Sequence, residues 1–72
     1  MPLVHVDLMT GRSPEAIAAM MQEVSEAIAR TLDAPIDTVR IVVSEMQPHL
    51  YSVGGRPWPA IVEERDTRAR AE

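Results

Sequence analysis

Few residues in this chain could do chemistry, and the first of them is Pro2. Inside a chain a proline nitrogen is a tertiary amide without a proton, but at a terminus it is a secondary amine with an ordinary pKa of about 7.7–8.0. Removal of Met1 turns Pro2 into a candidate general base. An apolar pocket or nearby arginines would lower its pKa toward neutrality, where a base works best. All 7 cationic side chains are arginines and there is no lysine. A lysine Schiff base, pyridoxal-phosphate chemistry and a phosphate-loop lysine are therefore excluded, and the terminus is the one amine available. His5 and Asp7 stand two apart and suggest a proton relay, although a place on a surface between subunits is the stronger expectation. Arg12 precedes a helix start, where arginines are commonly exposed. Arg40 stands in an apolar run, where an unpaired charge is costly to bury. It therefore binds either a ligand or a carboxylate such as Glu45.

Positioning these groups requires strands and a helix. Residues 3–8 alternate as a strand, with Val4, Val6 and Leu8 on one face and Leu3, His5 and Asp7 on the other. Thr10-Gly11-Arg12 breaks that pattern. Ser13-Pro14-Glu15 then supplies a hydroxyl N-cap, a proline at the first helical position and an acid in the first turn. Ile17, Met20, Met21, Val24, Ile28 and Leu32 follow the spacing of one buried helix face. Gln22, Glu23, Glu26 and Arg30 lie away from it. Pro35 closes the helix by disfavouring helical geometry at the residue before it.

Residues 38–46 are rich in β-branched side chains and read as a second strand, with Arg40, Val42, Ser44 and Met46 on one face. Strand, long helix and strand make a βαβ unit, so the strands are expected to be parallel with a right-handed crossover. Residues 47–59 hold Pro48, Gly54, Gly55, Pro57 and Pro59 and read as turns with a short hairpin around 50–56. Residues 60–72 read as a short helix that frays into a disordered end.

Length and composition bound the assembly. At 72 residues the chain is one domain, and a domain this small buries only about 60% of its unfolded surface. Without cysteine it has neither disulfides nor a thiolate metal site, and His5 and His49 fall in no ligand-like spacing. Association between copies is the remaining source of stability. A net charge of −4 argues against nucleic acid as a partner. No apolar run is long enough to span a membrane, and residues 3–8 lack the features of a signal peptide, so a cytoplasmic protein is expected.

The order Pro2, short strand, Thr10-Gly11-Arg12-Ser13, Val24-Ser25-Glu26-Ala27-Ile28, Leu32-Asp33-Ala34-Pro35, Val39-Arg40 and Gly54-Gly55 resembles the 4-oxalocrotonate tautomerase family. The resemblance runs without gaps from Pro2 to about Gly55. It implies an α/β (α+β) fold with a βαβ core over residues 2–56, followed by a C-terminal extension over 57–72, all within one domain. It further implies that two subunits join their sheets and that three such dimers form a homohexamer.

The resemblance also implies a cofactor-independent, metal-free isomerase that ketonises a 2-hydroxy-dienoate such as 2-hydroxymuconate. Pro2 would be the general base. Arg12 would hold the distal carboxylate, and Arg40 the near carboxylate and the 2-oxygen. One of these arginines would reach in from a neighbouring subunit. Guanidinium forks suit a dicarboxylate, and their charge favours the neutral amine. Tyr51 matches an aromatic position that walls the substrate, usually phenylalanine or tryptophan in the family. A phenol there can also donate a hydrogen bond. Together with Trp58, expected as an interface anchor, and the long tail, this departure leaves room for another substrate. Two further readings stay open. One is a relative that hydrates and dehalogenates haloacrylates or decarboxylates a related acid, which the apolar Met9 and Val53 disfavour. The other is a non-enzymatic oligomer.

Overall fold

The computed structural model describes residues 1–71, with side chains through Thr67. Strand β1, Leu3–Met9, leads into helix α1, Pro14–Leu32, and strand β2, Arg40–Met46, returns beside β1. The two strands are parallel, in register from Leu3 opposite Arg40 to Met9 opposite Met46. A small antiparallel hairpin follows, β3 Ser52–Val53 with β4 Arg56–Pro57, and helix α2, Trp58–Ala71, completes the described chain. This is the expected α+β arrangement.

Local chemistry explains the boundaries. The Ser13 hydroxyl accepts a hydrogen bond from the Ala16 N–H at 3.1 Å, filling one of the unpaired donors of the helix N-terminus. At the other end Asp33 takes a left-handed conformation, φ 51°, and its N–H and that of Ala34 both reach the Ala29 carbonyl. The helix thus stops at Leu32, three residues before Pro35. Residues 36–38 form a 3₁₀ turn, so β2 begins at Arg40 and not at Thr38 as the β-branched run suggested. The turn is closed by the Thr38 hydroxyl on the Pro35 carbonyl at 2.6 Å.

The hairpin is tighter than expected. Val53 pairs with Arg56 across Gly54 and Gly55, whose φ values of 60° and 83° belong to the two-residue turn that glycine makes without strain. Helix α2 starts at Trp58 and is longer than the short helix expected over the tail. The expected disorder at the chain end lies outside the described residues.

Helix α1 covers the sheet face formed by Val4, Val6, Leu8, Ile41 and Val43, all half-buried together with Ile17, Met20, Met21, Val24 and Ile28. Leu32, expected on the same stripe, is 64% exposed. None of the described residues is buried outright. The radius of gyration is 16.5 Å, against about 11 Å for a compact chain of this length. The opposite sheet face, with Leu3, His5, Asp7, Arg40 and Val42, has no covering element and is exposed. Two hydrogen-bonded strands and one helix do not make a core, so the subunit is half of a structure.

Candidate active site

Because β1 and β2 are parallel, both begin at the same end of the sheet, and that end holds Pro2 and Arg40. Pro2 is half-buried, and its carbonyl accepts the Arg40 N–H at 2.9 Å. Met1 ahead of it is 84% exposed, so nothing in the fold grips the residue whose removal frees the amine. The Arg40 guanidinium donates to the Asp37 carbonyl at 2.7 Å, and it pairs with no carboxylate among the described residues. Pairing with Glu45 is excluded within the subunit, because the two residues are five apart on β2 and leave it on opposite faces. Arg40 lies instead on the uncovered face, in the row of Leu3 and His5.

Arg12 and Tyr51 occupy the far end. The Thr10 N–H donates to the Met46 carbonyl at 2.9 Å and closes the sheet there. Gly11, with φ 125°, then turns the chain so that Arg12 is exposed just ahead of the α1 cap. Tyr51 follows the 3₁₀ turn Pro48–Leu50 and is 41% exposed. The seven residues of β1 separate the two ends by about 20 Å, at about 3.3 Å per residue. That is farther than one small dicarboxylate and an extended arginine side chain can bridge. Pro2 and Arg12 of one subunit therefore cannot serve one substrate.

An open cleft of about 620 Å³ lies at the Arg12 end, between Met9, Thr10 and Pro48 on one side and Trp58, Val62 and Asp66 on the other. None of Pro2, Arg12, Arg40 and Tyr51 lines it. On the uncovered face His5 and Asp7 pair at 3.0 Å and remain exposed, away from both ends of the sheet. Among the described residues no cluster of His, Cys, Asp or Glu has the arrangement of a metal site, and no helix is long and apolar enough to cross a membrane.

The sequence profile of the family described as "Tautomerase enzyme" matches residues 2–59. The chain belongs to this family of isomerases. It is 42% identical over 57 residues to a 2-hydroxymuconate tautomerase of Pseudomonas putida, a match covering 79% of this chain and 90% of that one. Its fold superposes on a heterohexamer 4-oxalocrotonate tautomerase from Chloroflexus aurantiacus with a TM-score of 0.78 at 32% identity, covering 82% and 95% of the two chains. It also superposes on TomN, a 4-oxalocrotonate tautomerase homologue in the tomaymycin biosynthetic pathway, with a TM-score of 0.77 at 38% identity, covering 90% and 95%. This tautomerase-family chain thus has relatives named for a single substrate and relatives named for a biosynthetic pathway.

The residue that sequence reasoning underweighted is Trp58. Its backbone N–H donates to the Tyr51 carbonyl at 2.8 Å, and its ring meets the Tyr51 ring edge-on, with centroids 5.5 Å apart at 73°. The signal lay in Gly54-Gly55: counting outward from a two-residue turn pairs 53 with 56 and 52 with 57, which brings 51 beside 58.

Proposed function

We propose that this protein is a cofactor-independent keto–enol tautomerase that uses the amine of Pro2, freed by removal of Met1, as its general base. In the reaction the amine takes the proton from the 2-hydroxyl of a 2-hydroxy-dienoate such as 2-hydroxymuconate. The electrons shift along the conjugated system, and the same nitrogen returns the proton to a carbon to give the conjugated ketone. Arg40 binds the near carboxylate and faces the 2-oxygen, where negative charge develops. Arg12 holds the distal carboxylate, and Tyr51 walls the substrate from water.

The observation that carries this reading is the position of Pro2. It is half-buried at the mouth of a parallel sheet and held by the backbone of Arg40, while Arg12 stands at the opposite end. Joining two such sheets antiparallel about a two-fold axis brings Pro2 of one copy to the Arg12 and Tyr51 end of the other. Arg40 leaves the face that α1 does not cover, so its partners come from copies packed against that face. Three dimers joined there give the homohexamer, with residues 2–56 as the shared core and 57–72 as an added segment. The protein is placed in the cytoplasm by the same reading.

The test is ketonisation of 2-hydroxymuconate, followed by ultraviolet absorbance, with protein whose intact mass shows that Met1 is absent. Pro2→Ala should lower kcat at least about a hundredfold, the usual contribution of a positioned base. Arg12→Ala should chiefly raise KM, and Arg40→Ala should lower kcat as well. Unchanged turnover in Pro2→Ala would remove the mechanism.

A further inference from the structure

Tyr51 is poorly supported by its own segment. It sits between a three-residue turn and a two-residue strand, and strands this short do not hold a side chain in one orientation. What fixes it is Trp58. The sequence has one tyrosine, one tryptophan and no phenylalanine, so its one phenol and its one indole meet in this one contact. The Trp58 backbone N–H on the Tyr51 carbonyl and the edge-on ring contact bind the same two residues twice. Trp58 is half-buried, while Tyr51 is exposed, so the tryptophan is the anchored member of the pair.

Trp58 also faces the cleft that Met9 and Thr10 line on the other side, two residues before Arg12. It is the first residue of α2, and α2 is tied back to the hairpin by the ion pair of Arg56 with Glu64. The family match ends at residue 59, so Glu64 and most of α2 lie beyond it. The extension thus anchors an aromatic residue that touches the wall of the site.

We propose that Trp58 is the positioning residue for Tyr51: it sets the plane and depth of the aromatic wall over the substrate, and α2 holds Trp58 in place. This rests on the reading that Tyr51 lines the tautomerase site. The consequence is a specificity device. A conjugated, flat acid is gripped by a ring held edge-on from behind, and loosening that ring weakens binding more than it slows proton transfer at Pro2, which is supplied from the other end of a sheet.

The test uses assembled protein lacking Met1, with 2-hydroxymuconate as the probe. Trp58→Ala should raise KM about tenfold, the scale of one well-made edge-on aromatic contact, while kcat stays within about twofold. Trp58→Phe keeps an edge for Tyr51 and should restore most of the loss. In a Tyr51→Ala background, Trp58→Ala should add almost nothing, because the residue it positions is gone. If Trp58→Ala fails to assemble, Trp58→Leu and Trp58→Phe replace it, and the gap in KM between them carries the same information.

In the wild type, emission from the single tryptophan should shift on binding a substrate analogue, and Tyr51→Ala should abolish that shift. An unchanged KM in assembled Trp58→Ala, or fully additive losses in the double variant, would overturn the proposal while leaving the Pro2 mechanism intact. Turnover insensitive to Pro2→Ala would remove the site reading and this inference with it.

Discussion

Diluting the protein a hundredfold should lower its melting temperature by about 9–15 °C, and the size follows from how little one subunit buries. Its accessible surface is 5572 Å², whereas a compact protein of 8.0 kDa exposes about 4,500 Å². The excess, roughly 1,000 Å², is comparable to the ~800 Å² that each partner contributes to a standard interface. With no fully buried residue among those described, folding and association become one transition. A hundredfold dilution then removes about 1.4 kcal/mol per subunit from a dimer and about 2.3 kcal/mol from a hexamer. At about 2.1 cal/mol/K per residue, 72 residues give an unfolding entropy near 150 cal/mol/K, so each kcal/mol moves Tm by about 6–7 °C. Circular-dichroism melts from hundreds of micromolar to a few micromolar would read this directly. A Tm that moves by less than about 2 °C, with one cooperative transition throughout, would show that the subunit folds alone and would refute the reasoning.

Two more outcomes test the same structure. Equal amounts of Pro2→Ala and Arg12→Ala chains, each slow alone when assayed at substrate well below the raised KM of Arg12→Ala, should regain about a quarter of wild-type activity after unfolding and refolding together, because a site drawing the two residues from different copies is intact by chance one time in four; no recovery would mean that one chain supplies both. Ser13→Ala should cost about 1 kcal/mol by leaving the Ala16 N–H without its cap, read as a lower denaturant midpoint at unchanged m-value, and a loss below a few tenths of a kcal/mol would mean water replaces the hydroxyl at no cost.

Local chemistry made much of the fold legible. Ser13-Pro14-Glu15 marks the α1 start at the residue where it occurs, and the alternation of β1 separates half-buried Val4, Val6 and Leu8 from exposed Leu3, His5 and Asp7. Where sequence reasoning missed, a local hydrogen bond outweighed a propensity. Thr38 and Val39 are β-branched, but the Thr38 hydroxyl and the backbone bonds onto Pro35 and Ile36 draw Thr38 into a 3₁₀ turn and leave Val39 as its extended cap outside the strand. Leu32 fits the helical period, but it is the last residue of α1 and stays exposed. The Tyr51–Trp58 contact was out of reach without the hairpin register, since neither residue carries a periodic signal. For the site, residue types were legible and their distribution was not. Pro2, Arg12 and Arg40 stand out in the sequence, but the separation of Pro2 from Arg12 follows only from the length and direction of β1.

On the proposed mechanism, stability and catalysis depend on the same contacts. A larger domain can carry its active site on one chain because its core is complete without a neighbour, and its catalytic residues then sit on elements already fixed. In this chain the uncovered face that needs a partner for burial is the face from which Arg40 emerges. The strand with Pro2 before it and Arg12 beyond its far end pairs with β2 on one edge and leaves its other edge free for hydrogen bonding to a partner. Covering the face and pairing the edge therefore have two effects at once. They supply the missing burial, and they bring together groups that one subunit holds about 20 Å apart. On the proposed reading, a shared site costs little beyond what folding already requires, which is how a 72-residue chain with no cysteine and no lysine would assemble a base and two carboxylate-binding arginines.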